Sequence, residues 1–196
     1  VLFDPKSGQV IGRGHSPHEL IANTNGRREQ NAAWWIDALK VAVAGAINSS
    51  GRNAGEVAAI AVSGQHHGLV MLDGDGQVLR DVKLWNDTET AEENDRLIAD
   101  VGGIDQVWRL INTSLPVGYT ASKVRWMSRN EPALYARMKH ILLPHDYLNY
   151  WLTGEMVMDA GEASGTGFFD VATRKWSAEM VKAVDPSGTL AAALPP

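Results

Sequence analysis

The chain has 196 residues, 44% of them hydrophobic and 21% charged, with a formal net charge of −5. That is the make-up of one well-cored globular domain, not of a disordered or fibrous chain, and the acidic balance argues against nucleic acid or an anionic membrane surface as the main partner. There is no cysteine, hence no disulfide frame, thiolate metal site or thiol nucleophile, and a reducing cytoplasmic setting is expected. No apolar run approaches the roughly 20 residues of a membrane span, so no membrane partner is expected either.

In chain order, Val1–Phe3 and Gln9–Gly12 flank Asp4-Pro5-Lys6-Ser7-Gly8, which predicts a hairpin with Pro and Gly in its turn. The chain opens on Val1 in what reads as the tail of a strand, as though another element precedes it. Trp35, Leu39, Val43 and Ile47 recur every four residues, widened by Ile36 and Val41, and predict an amphipathic helix from about Asn31 to Ile47. Val57–Val62 is apolar and β-branched-rich, predicting a buried strand that stops in Ser63-Gly64-Gln65-His66-His67-Gly68. A second hairpin is expected where Leu69–Leu72 and Gln77–Leu79 flank Asp73-Gly74-Asp75-Gly76. Asp87 stands as N-cap to a helix over Thr88–Val101, with Glu89, Glu92 and Glu93 near its positive end. Helices follow over Ser122–Asn130 and from Pro132, then a strand at Ile141–Leu143, then a helix capped by Asp146 and stopped by Gly154. Leu190–Pro196 reads as a linker or boundary. Strands alternating with helices, with hairpins interspersed, predict an α/β domain whose mixed sheet carries helices on its faces.

The chemistry-bearing candidates gather at strand ends. In open α/β sheets ligands collect beyond the carboxyl ends of strands, and there Gln65, His66 and His67 offer groups that both donate and accept hydrogen bonds, which suits the vicinal hydroxyls of a sugar. A polar strand-to-loop turn is the plain alternative. Trp85, beside Asn86-Asp87, could stack on a sugar face, and Asp87 could touch a ligand or serve only as an N-cap. Adjacent imidazoles on an extended backbone point to opposite faces, so no metal is expected on His66 and His67. His15 and His18 read as surface residues, and His140 and His145 as capping or packing residues. Gly12-Arg13-Gly14 and Gly165-Thr166-Gly167 lack the full dinucleotide or Walker pattern.

Taken together, several separated stretches resemble the FGGY family of carbohydrate kinases. Ser63-Gly64-Gln65-His66-His67-Gly68 is similar to that family's Gly-Gln-x-His-Gly turn, and Leu84-Trp85-Asn86-Asp87 to its Leu-Trp-Asn-Asp strand end. Gly118-x-Thr120-x-x-Lys123-Val124-x-Trp126-Met127-x-Arg129-Asn130 resembles its first signature. Leu142-Leu143-Pro144-x-Asp146-Tyr147-Leu148, Leu152-Thr153-Gly154-Glu155, Asp159-Ala160-x-x-Ala163-Ser164-Gly165-Thr166 and Phe169-Asp170-Val171 through Trp176-Ser177 complete a match over nearly the whole chain.

The resemblance implies a ribonuclease-H-like, actin-like ATPase fold. Residues 1–196 would form the amino-terminal, sugar-binding domain of a two-domain enzyme whose nucleotide-binding domain follows. It implies transfer of the ATP γ-phosphoryl, with Mg²⁺, to a ketopentose such as D-xylulose, giving D-xylulose 5-phosphate. His66 and His67 fall on the sugar-contacting pair after Gln65. Gly118 falls where glycerol kinases carry a tyrosine, which would leave room for a longer sugar. The family's opening strand with its Asp-x-Gly-Thr turn does not occur in this sequence. Nor does its Gly-Gly-x-Asp-Asn segment, so the base aspartate is expected beyond Pro196 and no residue here is expected to be catalytic or a metal ligand. A gluconate or other polyol kinase, and a non-catalytic sugar-binding or interaction module, stand as alternatives; a homodimer is left open.

Overall fold

The computed structural model describes residues 1–196. Its first element is the expected hairpin: β1 (Leu2–Asp4) pairs antiparallel with β2 (Gln9–Gly12), Phe3 opposite Val10 and Asp4 opposite Gln9. The Asp4 carboxylate accepts from the Lys6 amide and the Ser7 hydroxyl, closing the turn. β3 (Ile21–Ala22) and β4 (Arg28–Gln30) lead into α1 (Ala32–Ser50), whose N-cap Asn31 accepts from the Ala33 amide and which ends at Gly51 in the left-handed region. The chain just after β2 runs directly over this helix, and a Cβ on Gly12 or Gly14 would run into the carbonyls of Ala46 or Ala42.

Then come β5 (Val70–Leu72), β6 (Val82–Lys83), α2 (Ala91–Asp100), α3 (Ile104–Ile111), α4 (Thr120–Asn130), α5 (Pro132–Tyr135), β7 (His140–Leu142) and α6 (Pro144–Thr153). The chain closes with α7 (Ala160–Ser164), β8 (Phe169–Asp170), β9 (Lys175–Trp176), α8 (Ala178–Val184) and α9 (Thr189–Ala193). Strand pairs are short and antiparallel: β3-β4-β6, β5-β7 and β8-β9 join β1-β2. The main core of 18 buried residues gathers Leu97, Ile111, Val124, Met127, Phe168 and Met180 among others, so the helices of the second half close on one another and on β5 and β7. A smaller cluster seats Trp35 of α1 against Val70, Val82 and Leu142 of the strands.

Several expectations are corrected. Val57–Val62 pairs with no strand, and Ile60 is 58% exposed. A buried strand needs neighbours for its backbone groups, and no other segment of this chain supplies them. The strands of this α/β domain pair as four small antiparallel sheets. On α1, Trp35 and Ile36 are buried, but Val41 and Val43 are exposed, because the apolar stripe extends past the packed strands. Val43 and Ile47 with Leu2, Phe3 and Ile60 line an open apolar groove of about 590 Å³.

The Asp73–Gly76 turn forms, with the Asp73 amide bonded to the Gln77 carbonyl, yet its return arm is a single bridge between Leu72 and Val78. The helix after Asp87 begins at Ala91 with Thr90 at its N-cap. Asp146 sits inside the first turn of α6, not ahead of it, and its carboxylate accepts from the Leu143 amide. Leu190–Pro196 is packed: Leu190 and Ala193 of α9 are buried and the Pro195 carbonyl accepts from the Trp176 indole.

Candidate functional site

The Ser63–Gly68 turn reaches its shape through His67, a non-glycine residue at φ +60°. Positive φ in a side-chain-bearing residue is held only when surrounding contacts require it, and such strain gathers at functional sites. Three contacts hold it. The His67 Nδ1 lies 2.9 Å from the Gly165 carbonyl, its ring stacks on Tyr119 at 4.6 Å, and its own carbonyl accepts from the Thr120 hydroxyl at 3.1 Å. Gly165 must lack a side chain, since a Cβ there would meet the imidazole. Burial holds the His67 pKa below its ordinary value, with the Gly165 bond opposing it and the nearby His66 and Lys123 acting in the same direction as burial. A carbonyl oxygen only accepts, so the neutral ring carries its proton on Nδ1 and presents Nε2 as an acceptor.

His66 is held in the same manner by a different group. Its Nδ1 lies 2.8 Å from an Oε of Glu162 on α7, and Glu162 itself is placed by Asp159, whose carboxylate caps the amides of Gly161 and Glu162. The two imidazoles lie 5.6 Å apart between centroids. Gln65 belongs to a chain of amides: it donates to the Gln30 Oε1 at 2.9 Å, which also accepts from the Trp35 indole, while the Gln30 Nε2 contacts the His18 Nδ1.

Trp85 is 54% exposed. Gly118 lies against it, and a Cβ at 118 would strike the Trp85 carbonyl. Lys123, fully buried, donates to the Gly118 and Tyr119 carbonyls at 2.6 and 3.1 Å and so ties that loop to α4. Burial lowers its pKa to about 7, with Asp87 opposing the shift and Lys83 adding to it.

Asp87, expected as a ligand-touching residue or an N-cap, does not cap α2, which has Thr90 at its N-cap. It is wholly buried, accepting from the amides of Arg28 and Glu89 and from the Lys83 ammonium, so it shapes the Trp85–Asp87 turn from beneath. The carboxylates of Glu29, Asp87 and Glu89 converge as a cation site would. That position is filled by Lys83, 3.2, 3.4 and 2.5 Å from the three, with the Trp126 ring 4.0 Å from its ammonium. With Arg80 paired to Glu29 and Arg27 to Glu89 as well, the trio is neutralised from within the chain and does not fit a magnesium ion.

The structure thus brings His66 and His67 together, places Gly118 against Trp85 through the loop that carries Tyr119, and puts Asp87 below that loop. Glu162, Gly165 and Tyr119 complete the arrangement and escaped sequence reasoning. Their signal was weak: Gly165 sat in a glycine pair without a nucleotide pattern, and Glu162 lies 96 residues from the histidine it binds.

All 196 residues match the model of the FGGY family of carbohydrate kinases, N-terminal domain. A xylulose kinase from Haemophilus influenzae is 46% identical over the whole of this chain and 40% of its own length, and one from Streptomyces coelicolor is 37% identical over 95% of the chain and 38% of its own. Among solved structures, a xyloylose kinase from Brucella ovis superposes with a TM-score of 0.81 at 34% identity, covering 88% of this chain and 35% of that one. A xylulose kinase from Rhodospirillum rubrum gives 0.81 at 27% identity, covering 92% and 36%. The fold is that of sugar kinases with the actin-like ATPase architecture. The chain belongs to the FGGY family of carbohydrate kinases and spans about two fifths of the length of the relatives it matches.

Proposed function

We propose that this chain is the sugar-binding lobe of an ATP-dependent ketopentose kinase that converts D-xylulose and ATP to D-xylulose 5-phosphate and ADP. The observation that carries the reading is the pair of imidazoles anchored through Nδ1, which leaves an Nε2 acceptor on each for sugar hydroxyls. The names of the relatives favour a ketopentose over gluconate. ATP and Mg²⁺ belong to the assembled enzyme: the acidic trio here is filled by Lys83, and the residues of this lobe bind and orient the sugar. When bound, Mg²⁺ would supply charge neutralisation at the transferring phosphoryl group. A cytoplasmic location goes with that reading.

The test is His67→Ala in the full-length enzyme. Loss of its hydrogen bond to a sugar hydroxyl in a partly dry cleft is expected to cost about 1–3 kcal/mol, or roughly 5- to 150-fold in kcat/KM for D-xylulose. The KM for ATP should hold, and a matched change at the exposed His15 should be silent. An unchanged kcat/KM for D-xylulose would return the turn to the status of an ordinary loop.

A further inference from the structure

We propose that Glu162 is a positioning residue for substrate, acting through His66. Its carboxylate fixes the His66 imidazole in the Nδ1–H tautomer and thereby gives the cleft a second hydrogen-bond acceptor beside that of His67. The inference rests on the sugar-site reading and names a residue which that reading does not contain.

An ionised carboxylate only accepts, so the His66 Nδ1 at 2.8 Å must donate, and in the neutral ring the Nε2 lone pair is left on the opposite edge. Free imidazole exchanges its proton between the two nitrogens, and the group held by one nitrogen decides what the other offers. Burial distributes the roles: the Glu162 side chain is 11% exposed, whereas that of His66 is 57% exposed. The carboxylate is therefore the fixed member and the imidazole its outward extension. Asp159 sets the backbone of α7 from which Glu162 reaches, and Gly165, one residue beyond that helix, holds His67 by the same nitrogen. One short segment, Asp159 to Gly165, thus sets the tautomer of both adjacent histidines. Two acceptors of like kind select a ligand that brings two hydroxyl donors, which a ketopentose does and a singly hydroxylated alcohol does not.

The variants Glu162→Ala, Glu162→Gln, His66→Ala and the double variant H66A/E162A, each in the full-length enzyme, test this. E162A is expected to lower kcat/KM for D-xylulose by about 5- to 50-fold, mostly through KM, with the KM for ATP unchanged. In the H66A background the same change should add nothing, because a residue acting only through His66 has nothing left to act on. The ¹⁵N shifts of the His66 ring in selectively labelled enzyme should move toward the Nε2–H tautomer in E162A. Across wild type, the shape-preserving E162Q and E162A, kcat/KM should follow the Nδ1–H population.

Full additivity of E162A and H66A would overturn the inference by making Glu162 merely structural, as would an unmoved His66 tautomer. Silence of E162A while H67A weakens sugar use would overturn it and leave the sugar site standing. Silence of both H66A and H67A would instead remove the sugar site itself.

Discussion

At the scale of single residues, proton placement decides what the groups around this site can do. His145 shows it most sharply: its Nε2 faces the Val62 carbonyl at 3.0 Å and its Nδ1 faces an Asp146 carboxylate oxygen at 3.2 Å. The Nδ1 edge donates to Asp146 when that group is a carboxylate and accepts from it when it is a carboxylic acid, so the Asp146 proton decides the role of that nitrogen. Burial pushes the Asp146 pKa up to about 6, against the lowering effect of the Leu143 amide and His145. A carboxyl whose pKa rises on folding keeps its proton in the folded state after the unfolded chain has lost it. Stability should therefore decline as pH climbs from about 4 to about 6, by about 3 kcal/mol at most. Asp146→Asn keeps an oxygen for the Leu143 amide and cannot ionise, so its denaturation free energy should be flatter across that window. Parallel pH profiles for the two proteins would contradict this assignment.

At the scale of elements, β4, β6 and the turn before α2 are joined by charge. Lys83 on β6 is 1% exposed and meets Glu29 of β4 as well as Asp87 and Glu89, while Arg80 bridges Glu29 to Glu131 at the start of α5. Removing one member of a buried ionic cluster leaves the others uncompensated, which commonly costs about 3–5 kcal/mol. Lys83→Met would leave Asp87 with no cation, and Glu29 and Glu89 with only the guanidinium groups of Arg80 and Arg27. It should lose stability of that order in urea denaturation, and a loss below about 1 kcal/mol would show that the cluster is solvated or protonated. The same network explains why α2 begins at Ala91 and not at Thr88: Asp87 is drawn down to the Arg28 amide and Lys83, away from the helix end it was expected to cap.

For the whole molecule, the apolar groove between α1, β1 and the extended Val57–Ala61 segment sets the expected solution behaviour. Phe3, Val43 and Ile60 are exposed there side by side, and contiguous apolar surface beside unpaired extended backbone favours association. The 196-residue chain is expected to associate with rising concentration in sedimentation velocity and to bind a hydrophobic dye. A strictly monomeric species with no dye binding would argue against it.

What the sequence determined by itself was local. Apolar spacing marked α1, Asp-Gly steps marked the 73–76 turn, and Gly154 marked the end of α6, because each depends on residues a few positions apart. The Gly-Gln-x-His-Gly turn and its companion motifs were legible too, and with them the family. Only the tertiary structure decided that Asp87 is wholly buried, that Gly118 lies against the Trp85 carbonyl, and that Val57–Val62 has no strand beside it in this chain. It alone joined His66 to Glu162 and His67 to Gly165, across 96 and 98 residues. Contacts at that separation are set by how helices and strands pack, and packing leaves no period in the sequence from which such a contact could be read.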